Sequence, residues 1–142
     1  ATRIKGNHDF GTANLLQQIL TRALCMGAYE RHLDALRRRY ATKAGVMTEA
    51  LRSHFPSLVE WREPQGGLYV WARAPKRQRT GAKSRFFQTA LKEKVLYVPG
   101  ALCYADDATR RKPDHEMRLS FGGASERELG IGIQRLGRVL SQ

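Results

Sequence analysis

Residues 63–74, EPQGGLYVWARA, mark the point where the chain changes its period of hydrophobicity. Pro64 to Gly67 form a turn signal. Beyond them apolar positions alternate, with Leu68, Val70 and Ala72 on one face and Tyr69 and Trp71 on the other. A strand with one buried face has this two-residue period.

Upstream of that turn the spacing is helical. Leu16, Ile19, Leu20, Ala23 and Leu24 share a face of a helix that Thr12 can cap. Gly27 interrupts it, and a second pattern runs through Tyr29, Leu33, Leu36, Tyr40, Met47 and Leu51. It stops where Pro56 disfavours helical geometry at Phe55. The first third is therefore expected to be a long helix bent near Gly27.

Downstream the elements are short. LVEW (58–61) is a strand candidate, and PKRQRTG (75–81) reads as a basic, mobile loop. Residues 82–94 return to helix, with Phe86, Phe87, Ala90 and Leu91 as the buried stripe. VLYVPG (95–100) is an apolar strand ended by Pro99 and Gly100, and EMRLSF (116–121) is the last strand. Ser125 and Glu128 have capping-box spacing at the start of a final helix whose core face is Leu129, Ile133, Leu136 and Leu140. The order helix, helix, β, β, α, β, β, α lacks regular βαβ alternation. The fold class is α+β: a long bent N-terminal helix, then a small sheet covered by helices.

The net charge of +12, from 25 Lys and Arg against 13 Asp and Glu, is the strongest compositional feature. Its clusters, Arg37 to Arg39, Lys76 to Arg79 and Arg110 to Lys112, fall in a helix and two loops. No zinc-finger spacing, RNP aromatic motif or GxxG loop accompanies them, so solvated faces or an acidic partner surface account for the charge. No apolar run approaches the ~20 residues that span a bilayer. The polar first residues do not resemble a signal peptide, and a cytoplasmic location is expected. Cys25 and Cys103 read as two buried free thiols rather than a disulfide. His8, His32, His54 and His115 have no ligand spacing, so no metal is expected.

EPQGGLYVW, VLYVPG, RLSF and ELGIGIQRL, in that order, resemble the C-terminal part of class I/II aminotransferases. These are pyridoxal-phosphate enzymes of fold type I, and the similarity is to the branch with aminoadipate and kynurenine aminotransferases. The opening KGNHDFGTANLLQ fits as well, so the resemblance covers nearly all of the chain. It implies a connecting helical segment at residues 1–55 and the small C-terminal domain at residues 56–142. It also implies a homodimeric parent that transfers an amino group between an amino acid and a 2-oxo acid.

The resemblance singles out Arg118. In that family the arginine of the last-strand motif binds the α-carboxylate of the substrate. The residue type suits the task, since a guanidinium fork makes two parallel charge-assisted bonds and stays charged. The bland alternatives are a surface ion pair or a stem lying over apolar surface. The other motif residues read as structural. Gly66 and Gly67 permit a tight turn or a close backbone approach, Tyr69 and Trp71 pack, and the Gly132–Ile133 step allows close helix-to-sheet packing.

None of the seven lysines (Lys5, Lys43, Lys76, Lys83, Lys92, Lys94 and Lys112) has the family's Schiff-base context. The Asp for the pyridine nitrogen and the phosphate loop have no counterpart either. The expectation is a C-terminal fragment with no catalytic and no cofactor-binding residue, inactive alone, whose parent uses pyridoxal 5'-phosphate. Two other readings remain. One is the effector-domain end of a winged-helix transcription regulator with an aminotransferase-like domain, which would bind nucleic acid. The other is a free-standing basic binding module.

Overall fold

The structure, a computed structural model, describes residues 13–141. The chain divides into two compact units, with the boundary between Arg39 and Tyr40.

In the first unit, helix α1 (Asn14–Cys25) follows Ala13, which makes no side-chain capping bond; the expected cap, Thr12, lies outside the described residues. The break falls where the sequence puts it. Gly27 adopts φ +64°, a left-handed conformation that glycine takes without steric cost, and helix α2 (Ala28–His54) begins at the next residue. No residue of α1 is buried, and Leu15, Leu16, Ile19 and Leu20 are all exposed. Both thiols are free, but Cys25 and Cys103 are exposed, not buried as expected. Cys25 ends a helix with no buried face, and Cys103 ends a surface 3-10 turn (Gly100–Cys103).

The second unit holds the core. Strands β1 (Glu60–Trp61), β2 (Tyr69–Arg73), β3 (Val98–Pro99) and β4 (Glu116–Ser120) form an antiparallel sheet in the order β1-β2-β4-β3. Helices α3 (Arg85–Lys92) and α4 (Glu126–Leu140) and the end of α2 supply most of the rest of the core, with Val59, Ala74, Tyr97 and Phe121 from the connections. Val70, Ala72, Met117 and Leu119 line one sheet face, and they are buried in one cluster with Met47, Leu51, Phe86, Ala90, Leu129, Ile133 and Leu136. The alternation in 68–72 is thus realised: Val70 and Ala72 are buried, Leu68 packs against the cluster, and Tyr69 is exposed. Gly67, at φ +76°, makes the turn before β2, and a Cβ added at Gly66 or Gly67 would face open space.

The capping box forms as expected. Ser125 Oγ accepts from the Glu128 N–H, and the Glu128 carboxylate accepts from the Ser125 N–H. Three details differ from the sequence reading. Leu91 is exposed, because it lies about 140° around the helix from Phe86. Only Val98 and Pro99 of VLYVPG pair with the sheet, since Pro99 has no N–H to extend the ladder. Close packing on α4 occurs not at Gly132, which has open space beside it, but at Gly137, where an added Cβ would collide with the carbonyl of His54. The 75–81 loop is also pinned at its end. Thr80 is buried, donates to the Glu116 carbonyl at 2.8 Å, and accepts at its own carbonyl from the Tyr97 hydroxyl at 2.7 Å.

Candidate functional site

Arg118 is the third of the five residues of β4, with strands on both sides: Trp71 of β2 and Val98 of β3 are its cross-strand partners. Side chains alternate along a strand, so Arg118 leaves the sheet on the face opposite the core, together with Tyr69, Trp71, Arg73, Glu116 and Ser120. Mid-sheet placement holds its backbone rigidly.

The side chain is partly exposed. Its guanidinium carbon stands 4.4 Å from the centre of the Tyr69 ring, within cation–π range. Its Nε is buried and has no hydrogen-bond partner among the described residues. A buried charged donor without an acceptor is costly, about 1–3 kcal/mol or more. Carboxylate and phosphate are the anions whose geometry matches a planar guanidinium fork.

Beside it is a second charged group that the sequence reading missed. Glu116 is buried and accepts from Arg73 Nε at 2.9 Å and from the Tyr104 hydroxyl at 2.6 Å. Burial alone would push the Glu116 carboxyl up; the bonds from Tyr104 and Arg73, with the Arg73 charge, outweigh it and leave the group below its ordinary value. The bond to Glu116 raises Tyr104 and Arg73 above theirs. Tyr104 also meets Trp71 edge-on, with centroids 6.1 Å apart and planes at 77°. The available sequence signal was the E-x-R alternation at 116–118, which places acid and base on one strand face. Tyr69 is exposed, and the side chain it packs against is the guanidinium of Arg118.

The remaining charges belong to other places. Lys43 is the one buried lysine among the described residues, and its Nζ donates to the Gly122 carbonyl at 3.1 Å. Arg37 pairs with Asp34 at 3.5 Å along α2, and Lys112 with Asp106 at 2.6 Å. Among the described residues no group of three or more His, Cys, Asp or Glu could hold a metal, and no helix is long and apolar enough to cross a membrane.

No family model matches the chain. Over 96% of its length it is 36% identical to an uncharacterized aminotransferase of Saccharolobus solfataricus, of which it covers 32%. Over 92% it is 32% identical to the uncharacterized HTH-type transcriptional regulator YisV of Bacillus subtilis, of which it covers 25%. Among solved structures, it matches the alpha-aminoadipate aminotransferase LysN of Thermus thermophilus, complexed with N-(5'-phosphopyridoxyl)-L-leucine. The TM-score is 0.80 at 32% identity, over 98% of this chain and 34% of that one. The Pyrococcus horikoshii kynurenine aminotransferase gives a TM-score of 0.84 at 30% identity, over 97% and 32%. The chain thus spans a quarter to a third of the length of these proteins, consistent with a C-terminal domain of a fold type I aminotransferase.

Proposed function

We propose, from the premise that this chain has the sequence and fold of the small domain of a fold type I aminotransferase, that the full-length protein transfers an amino group between an amino acid and a 2-oxo acid. Arg118 is assigned the substrate α-carboxylate. The observation that carries this assignment is the guanidinium itself: stacked on Tyr69, partly exposed, and with a buried Nε that has no acceptor among the described residues. A carboxylate docking there gains charge-assisted hydrogen bonds and is fixed in orientation, which serves both binding and the alignment of the reacting carbon.

The strand positions around Arg118 carry no lysine, and Lys43 spends its ammonium on a backbone carbonyl. The cofactor, which supplies the electron sink for transamination, is therefore assigned to the rest of the full-length protein. This chain supplies the carboxylate end of the site and is inactive alone. Residues 1–55 are taken as the helical connection to the cofactor domain and 56–142 as the small domain. The exposed apolar face of α1, Leu15, Leu16, Ile19 and Leu20, fits a partner surface in a homodimer.

Two observations favour a second reading: at 32% the chain is as identical to YisV as to LysN, and a net charge of +12 suits a DNA-binding parent. Spectroscopy of the full-length protein separates the two. An aminotransferase loaded with pyridoxal phosphate loses its visible band on adding an amino acid and regains it with a 2-oxo acid. Salt-sensitive, sequence-specific duplex binding without that cycle would establish the regulator instead.

A further inference from the structure

Glu116 and Arg118 are alternate residues of one strand, so their side chains leave the same sheet face with Cα atoms about 7 Å apart. A carboxylate and a long guanidinium at that separation are within reach of an ion pair. A tethered internal carboxylate has an effective concentration in the millimolar range, enough to compete with a free substrate. The pair is nevertheless not made. The ion pairs among the described residues give Glu116 to Arg73 and leave Arg118 with none.

Three features hold Glu116 away. Arg73 lies directly across the ladder from it and donates Nε to Oε1 at 2.9 Å. The Tyr104 hydroxyl takes Oε2 at 2.6 Å. Gly100 allows the 3-10 turn that leads to Tyr104 to close on this strand, since an added Cβ there would stand 2.6 Å from Glu116 Cβ. Both carboxylate oxygens are thereby engaged by groups other than Arg118.

We propose that Arg73 and Tyr104 are positioning residues that sequester Glu116, so that the Arg118 guanidinium stays available to an external carboxylate. The proposal rests on the reading of Arg118 as the carboxylate anchor. Releasing Glu116 would create an internal inhibitor. If the released carboxylate occupied Arg118 nine-tenths of the time, carboxylate ligands would bind about 10-fold more weakly.

The test uses the full-length, cofactor-loaded protein with L-leucine and L-leucinamide, which differ only in the carboxylate, and reads binding from the change in the cofactor band. The double variant Arg73→Gln/Tyr104→Phe should bind L-leucine about 10-fold more weakly with L-leucinamide unchanged. Adding Glu116→Gln should restore L-leucine binding. A crystal structure of the double variant should show Glu116 within salt-bridge distance of Arg118. Equal weakening for both ligands, failure of Glu116→Gln to restore binding, or a Glu116 side chain still beyond salt-bridge distance of Arg118 would each overturn the proposal. The anchor reading is judged separately with Arg118→Gln. Unchanged preference for L-leucine over L-leucinamide in that variant would remove Arg118 from the site. Loss of preference there, with an unaffected double variant, would reject the sequestration alone.

Discussion

The guanidinium of Arg118 lies 4.4 Å from the ring centre of Tyr69, on the sheet face turned away from the core. Tyr69 is two residues along β2 from Trp71, the direct cross-strand partner of Arg118, so the contact is a diagonal one between β2 and β4. The ring restricts the movement of the guanidinium, while the residue as a whole stays partly exposed.

This stack should matter through the ring and not the hydroxyl. In the full-length protein, Tyr69→Phe should keep carboxylate binding within about 2-fold. Tyr69→Ala should weaken it about 5-fold, the equivalent of roughly 1 kcal/mol of cation–π contact. Equilibrium titration with an amino acid measures both; equal effects would mean that the stack does not orient Arg118.

Glycine substitutions on α4 separate packing from propensity. Gly137→Ala drives a methyl group into the backbone carbonyl of His54, and overpacking of this kind costs about 1–3 kcal/mol. Gly132→Ala has open space beside it and should be neutral or stabilising by up to about 1 kcal/mol. Urea unfolding of the two variants should therefore move in opposite directions or differ by more than about 1 kcal/mol.

At the start of the same helix, Ser125→Ala removes the acceptor for the Glu128 N–H and undoes the reciprocal bond. A loss of about 1 kcal/mol is expected in the same assay. An unchanged midpoint would show that the capping box contributes nothing to the folded state.

The Glu116 cluster should shape the pH dependence of stability at both ends. The Glu116 carboxyl is depressed in the folded chain. Its contribution is present above the ordinary glutamate value and is lost as pH falls through the folded one. Tyr104 is raised, so its contribution is complete below the ordinary tyrosine value and is lost as pH rises toward the folded one. Glu116→Gln should flatten both limbs of the unfolding profile relative to wild type. Parallel curves would mean that the cluster is energetically silent.

Much of this architecture is legible in the sequence, for identifiable reasons. The Leu68–Ala72 alternation, the Gly27 break, the Pro56 stop and the Ser125–Glu128 box are local signals, and each acts within a few residues. What was not legible depends on partners distant in sequence. Gly137 is special only because His54 ends α2 against it, and Gly132 in the same helix looks equivalent on paper. The Glu116 cluster needs Arg73 from β2 and Tyr104 from a loop, brought together by the ladder register. Arg118 itself was singled out by motif resemblance, whereas its stack on Tyr69 and its buried Nε emerge only when β2 and β4 pair.

The central claim is that Arg118 receives the substrate carboxylate, and the kinetics of Arg118 variants in the full-length protein test it most directly. Arg118→Lys keeps the charge but loses the bidentate fork, and Arg118→Ala loses both. The account predicts that kcat/KM for transamination falls at least about 100-fold in the alanine variant, equivalent to about 2.7 kcal/mol, with pyridoxal phosphate still bound. Near-normal transamination by Arg118→Ala would contradict it, and an equal loss of cofactor would show that the residue acts through folding.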